Sequence, residues 1–368
     1  MTQVQYPYIS RENNFDVVRL FAALQVCTGH ILSHFNIDGG LFSSILSFFP
    51  GVTIFFVISG FLITASWCRS KSMKQYARNR FLRIFPALFI CFIVVQLALV
   101  IFGQYDKGTL LNPQVWAYWV GQLTLGQFFT PDAFRDFGVG SPNGSLWTIP
   151  IEVEFYILIP LIFIFLTRIN IQKKLILIGV LSLTANIVLS LYTPSATHTN
   201  AEELMNGFGA GNATLVLKLL NVSVFPYLYC FIIGALLYLN WDKIQIYFVN
   251  KAPYWLLAYF VIILLLRSKP GNNIDSIQSF ICNLLLCGST ISSAFSFGNI
   301  NRYLMGVDIS YGVYIIHMII VNIMLELGYG STVTDAVIAI IITIILALLM
   351  YIYVEKPALS LKNPVAKK

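Results

Sequence analysis

The chain has 368 residues, of which 57% are hydrophobic and 11% charged, with a net charge of +7. A soluble domain carries about twice that charged share, and several apolar runs reach the roughly 18–20 residues that cross a bilayer core, so a soluble globular protein is excluded. The runs are continuous rather than alternating, which argues against a β-barrel. The basic balance reads as lysine and arginine on a cytoplasmic face, not as nucleic-acid affinity.

The first segment, "SRENNFD", mixes acids and bases, and no small-residue cleavage site follows it, unlike a signal peptide. Ten helical spans are then predicted, at about 15–36, 43–66, 82–103, 148–167, 174–192, 214–239, 252–267, 277–297, 307–327 and 335–354. The stretch 115–130, "VWAYWVGQLTLGQFFT", is broken by Gly and Gln and reads as interfacial or re-entrant. Arg69, Lys71, Lys74, Arg78, Arg80 and Arg83 lie between the second and third spans and mark that loop as cytoplasmic. With ten spans, both termini are then cytoplasmic, most of the 23 basic residues fall inside, and the largest outer segments are roughly 104–147 and 193–213. The expected architecture is all-α and polytopic: one membrane-embedded domain over residues 1–368 with no appended soluble domain. The six cysteines form no CxxC pair, so neither a disulfide framework nor a zinc site is expected.

An ionisable group within a span is costly and reads as a functional residue by default. In the first span, Arg19 and His30 are eleven residues apart, about 20° past three full turns and about 16 Å along the axis. One helix face therefore offers a cation toward the cytoplasm and a titratable imidazole toward the outer half. His34 lies one turn beyond His30, but no third ligand accompanies the pair, so no metal is expected. Glu152 and Glu154 begin the fourth span about 200° apart, so at most one points into a common cavity. His317 falls near the middle of the ninth span and reads equally as a satisfied core group or a catalytic one. In "RNRFLRIFP", Arg78, Arg80 and Arg83 anchor the third span or dock a phosphorylated cytoplasmic ligand.

Taken in order, "FDVVRLFAALQVCTGH", "FFVISGFLIT", "RFLRIFP", "SLWTIPIEVEFY", "ISYGVYIIH" and the closing "VEKP" resemble the integral-membrane acyltransferase family 3. That resemblance implies an acyl-CoA donor, usually acetyl-CoA, with no permanently bound cofactor. It also implies a glycan or lipid-linked saccharide acceptor, such as lipopolysaccharide or exopolysaccharide, at a bacterial inner membrane. Arg19 and His30 match the family's R-x10-H element, Glu152 its acidic position, His317 its late histidine, Ser59 and Gly60 its Ser-Gly turn, and Arg80 and Arg83 its arginine-rich edge. Many relatives carry two adjacent glutamates where Val153 here separates Glu152 from Glu154. His30 is then expected as the general base, oriented by Glu152. Arg19 would hold the donor's polar arm or the oxyanion, and the cytoplasmic arginines the coenzyme A phosphates. A transporter or flippase is the competing class, since polar groups inside spans also line substrate paths.

Overall fold

The computed structural model describes residues 6–10, 12–70, 72–165, 171–192 and 212–362, and among them it contains helices and no strand. The principal helices are α1 (Phe15–His34), α2 (Gly51–Arg69), α3 (Met73–Ile101), α4 (Pro113–Gln122), α5 (Thr148–Phe165) and α6 (Ile171–Tyr192). They continue as α7 (Asn212–Asn221), α8 (Leu228–Leu239), α9 (Ala252–Leu266), α10 (Ile277–Ala294), α11 (Ser310–Glu326), α12 (Val333–Met350) and α13 (Lys356–Ser360). Among the described residues, seven helices are long and apolar enough to cross a membrane. The number is eight if Trp241–Tyr247 and α9, bent by 74°, form one span. The protein is all-α and polytopic.

Each predicted span coincides with helix, with instructive differences at the edges. The second starts late, at Gly51, because Pro50 stands at its N-cap after a separate short helix, Gly40–Leu46. The third starts early: the Ser72 side chain accepts from Gln75 N and caps a helix that already includes the arginines. The predicted span 214–239 is broken between α7 and α8, and the Glu154 carboxylate accepts from Val224 N at 2.6 Å within that break. A non-helical stretch inside a membrane protein needs such a partner for its freed backbone. The 115–130 stretch contains only the ten-residue α4, too short to cross. Most of the predicted outer segment 193–213 lies outside the described residues.

The stretch "GSPNGSLW" closes the predicted outer segment 104–147, yet its residues 141–147 are buried. Polar side chains make this possible. Asn143 Nδ2 donates to Ile315 O at 2.8 Å, and Asn322 Nδ2 donates to Ser141 O and Pro142 O. They dock the turn on α11, which is buried over nearly its whole length.

Helices α2 and α8 cross closely, with two glycines at the contact. A Cβ on Gly60 would stand 2.0 Å from Phe231 O, and one on Gly234 would stand 2.2 Å from Val57 O, so α2 and α8 touch backbone to backbone. Gly60 therefore packs on α8, and it is not among the residues that line the cavity described below. Gly60→Ala is expected to cost about 2–3 kcal/mol through overpacking, read as a lower thermal midpoint of the detergent-purified protein. Helix α1 packs on α11, running in the same direction, and α12 closes the other side of α11.

Candidate active site

A cavity of about 380 Å³ opens at the end of the bundle where α1 and α11 begin. Its charged lining comes from α1 (Asp16, Arg19), α3 (Arg80, Arg83), α5 (Glu152), the residues before α11 (Asp308) and the segment after α13 (Lys362). Ser59 from α2 and Tyr156, Tyr311, Tyr314 and Tyr351 complete its polar surface.

Local helix geometry sorts the arginines. Arg80 and Arg83 are three residues apart and share a face, whereas Arg78, two residues before Arg80, points away and is exposed. Arg78 does not line the cavity, so of the three arginines read either as anchors or as donor-docking groups, Arg80 and Arg83 face it and Arg78 does not. Asp308 binds two cations at once: Arg19 Nη1 donates to its Oδ2 at 2.5 Å and Arg83 Nη2 to the same oxygen at 2.6 Å. Asp16 meets Arg19 at 3.1 Å, and Glu355 meets Arg83 at 3.6 Å. Arg80 lies over the Tyr156 ring, 5.5 Å from its centroid, and its buried Nε has no hydrogen-bond partner. A buried guanidinium nitrogen left unmatched in a cavity wall is available to an anion.

Tertiary packing also separates the two glutamates. Glu152 lines the cavity and accepts from Tyr156 Oη at 2.5 Å and from Ser59 Oγ at 3.4 Å. Glu154 serves the α7–α8 break instead. The Tyr156 backbone is itself braced: Pro160 cannot donate to the Tyr156 carbonyl, which takes its bond from Tyr76 Oη at 3.0 Å. Glu152→Gln is accordingly expected to lower transfer at least tenfold in a membrane assay. Glu154→Gln, which keeps an oxygen for Val224 N, should stay within about twofold.

His30 and His317 meet directly: His30 Nδ1 lies 2.8 Å from His317 Nε2, with ring centroids 5.1 Å apart. His317 Nδ1 is 3.2 Å from Val313 O, one turn back on its own helix. If that nitrogen carries the proton of a neutral His317, its Nε2 accepts, His30 Nδ1 donates, and His30 Nε2 holds a lone pair. His317 is fully buried, while His30 keeps part of its surface accessible. Neither histidine lines the cavity. Tyr314 does: its ring stands 6.0 Å from that of His317 and 5.6 Å from Phe55, and its hydroxyl is 2.6 Å from Thr148 Oγ1. His317 is thus a direct partner of His30, whereas Glu152 was the expected one.

Arg19 and His30 do share a face of α1, since both reach elements of the α11 end: Asp308 and His317. Sequence reading overlooked Asp308, Tyr156, Tyr314 and Lys362. Asp308 had a signal, as a lone acid two residues before "SYGVYIIH" within the ninth predicted span, but neither of its partner cations lies near it in sequence. Glu355 stood in the quoted "VEKP" with no role, and it now faces Arg83.

A bundle of apolar helices that encloses an ion-lined cavity and, deeper, a histidine pair is a multi-pass membrane protein built around a polar site. The acyltransferase 3 family model, described as an acyltransferase domain, matches residues 12–352, and the chain belongs to that family. "Nodulation protein 10" of Rhizobium leguminosarum bv. viciae is 29% identical over 367 residues, 95% of this chain and 94% of that protein. "Peptidoglycan O-acetyltransferase OatA" of Listeria monocytogenes is 32% identical over 176 residues, 43% of this chain and 28% of that protein. "O-acetyl transferase" of Shigella phage Sf6 is 32% identical over 161 residues, 40% of this chain and 45% of that protein. No solved structure matches the chain.

Proposed function

We propose that the protein transfers an acetyl group from cytoplasmic acetyl-CoA to a hydroxyl of a cell-surface glycan, such as lipopolysaccharide O-antigen or exopolysaccharide, from a bacterial inner membrane. Ten crossings with both termini in the cytoplasm would turn the ion-lined cavity inward. The observation that carries this reading is that one pair of helices, α1 and α11, holds the ion-lined cavity at one depth and the histidine pair at another. A charged donor and an uncharged sugar hydroxyl approaching from opposite faces need that separation.

In the proposed reaction the hydroxyl oxygen attacks the thioester carbonyl while its proton passes to His30 Nε2. The tetrahedral intermediate then collapses with cleavage of the carbon–sulfur bond, and the departing coenzyme A sulfur takes the proton back from His30. His317 holds the His30 tautomer through Nδ1, the role an orienting partner plays for a catalytic base. Arg19 cannot also serve the oxyanion. It lies about 16 Å along α1 from His30, whereas an oxyanion donor must come within about 3 Å. Arg19, Arg80 and Arg83 therefore bind the phosphorylated arm, and the acyl end reaches the histidines past Tyr314. Glu152, Tyr156 and Ser59 position that arm along the cavity wall.

The deciding experiment incubates purified protein with acetyl-labelled acetyl-CoA and extracted glycolipid. Label appearing on the sugar supports the reading. Counter-flow of an unmodified solute without transfer of label would establish a transporter instead.

Lys362 adds a pH dependence. Burial first, and then the charges of Arg80, Arg83 and Arg19, push its ammonium down to about 7, with Glu355 pulling the other way. In the free protein Lys362 is charged below that pH and neutral above it, and a bound phosphate favours the charged form. The KM for acetyl-CoA is expected to rise about three- to tenfold between pH 6 and 8.5, and Lys362→Met should flatten that rise while leaving kcat less affected.

A further inference from the structure

A second cavity, of about 430 Å³, adjoins the first, with Leu62 of α2 forming part of both walls. It is lined by Ser10 and Asn13 ahead of α1, by Arg69 at the end of α2, and by Gln75 and Asn79 in the first turns of α3. Its chemistry differs from that of the first. Among the described residues that line it there is no carboxylate, Arg69 is the charged one, and three side chains are primary amides. Asn79 Oδ1 is buried without a hydrogen-bond partner, and the next residue in the chain, Arg80, presents its unmatched Nε in the first cavity's wall. Two consecutive residues of α3, 100° apart on the helix, thus line neighbouring cavities, and each holds an unsatisfied polar atom.

We propose that this second cavity is the seat of the adenine nucleotide at the far end of the acyl donor, with Asn79 reading the base and Arg69 the phosphate. The inference rests on the reading of acetyl-CoA as donor. The first cavity, at about 380 Å³, is near the low end of the roughly 300–1,000 Å³ that small-molecule sites occupy. A coenzyme A thioester is a long molecule with a bulky nucleotide remote from its sulfur, so a diphosphate held by the arginines of the first cavity would send the pantetheine toward the histidines and the nucleotide past Leu62 into the second. Asparagine pairs with adenine by accepting from its N6 amino group and donating to its N7, so the orphaned Asn79 Oδ1 is the atom that would take the N6 hydrogen. Orphaned buried amide atoms are costly, and a ligand edge is one way to satisfy them.

The test uses the full-length protein in detergent and two donors, acetyl-CoA and acetyl-pantetheine, which lacks the nucleotide. Asn79→Leu and, on the exposed rim, Arg69→Gln are each expected to raise the KM for acetyl-CoA about tenfold with kcat retained. With acetyl-pantetheine both variants should match the wild type. Adenosine 3′,5′-bisphosphate should bind the wild type in calorimetry, compete with acetyl-CoA, and bind each variant about tenfold more weakly. Unchanged KM and bisphosphate affinity in both variants, with active wild type, would overturn the nucleotide seat alone. Equal losses with both donors would overturn it as well, since they would point to a structural role. A wild type that accepts neither donor and binds no bisphosphate would overturn the donor reading, and the seat with it.

Discussion

His30→Ala lowers acetyl transfer by about 10²–10⁴-fold, the range a positioned general base contributes, with little change in the KM for acetyl-CoA because the cavity that would hold the donor does not include His30. Label transfer in membranes, normalised to the amount of inserted protein, measures this. His317→Phe has a smaller and different effect. It keeps bulk in a fully buried site but removes the acceptor for His30 Nδ1, so His30 loses its preferred tautomer and transfer falls about 10–100-fold. Wild-type rates in His30→Ala membranes would move the base elsewhere. Equal losses in the two variants would instead mean that the pair acts as one unit, with His317 as much a proton carrier as an anchor.

Asp308→Asn is the variant expected to damage the protein most as a structure. Its carboxylate is shared by Arg19 and Arg83, whose side chains are 21% and 18% exposed against 11% for Asp308. Removing one partner from a buried ion cluster strands the remaining charges, a loss of roughly 3–5 kcal/mol. Contact with a water-accessible cavity sets this case at the lower end, about 3 kcal/mol. The thermal midpoint of the purified protein should fall by several degrees, and added coenzyme A should restore part of it, since its diphosphate would bring negative charge to Arg19 and Arg83. An unchanged midpoint would show that cavity water already screens the two arginines.

These two variants probe the site at its two depths, and the sequence speaks to them unequally. The shared face of Arg19 and His30 follows from helical periodicity alone, because both residues lie on one continuous helix and an eleven-residue offset closes three turns. The buried length of α11 is likewise legible as an apolar run. The partners are not. Arg19 and Asp308 are 289 residues apart, Arg83 and Asp308 225, and His30 and His317 287. No local pattern encodes which distant acid or imidazole will stand opposite.

Particular residues show where the boundary falls. From spacing alone, Glu152 and Glu154 could be told apart only as facing opposite ways; the cavity on one side of α5 and the α7–α8 break on the other assigned them. Gly60, next to Ser59, belonged to the same motif, but a backbone contact with Phe231 that only the fold creates makes it a packing residue. Arg78 was grouped with Arg80 and Arg83 while the segment was read as a loop. Once Ser72 caps a helix through it, the helical turn sends Arg78 to the surface.

Composition, apolar run length and charge bias thus determined the membrane class, the helical spans and which ionisable residues needed an explanation, because each depends on the chain's interaction with solvent or lipid segment by segment. Tertiary structure alone decided which of those residues meet. Pairing among helices depends on packing between faces that are equally apolar in sequence, and the free energy of a buried charge is set by whatever distant group arrives beside it.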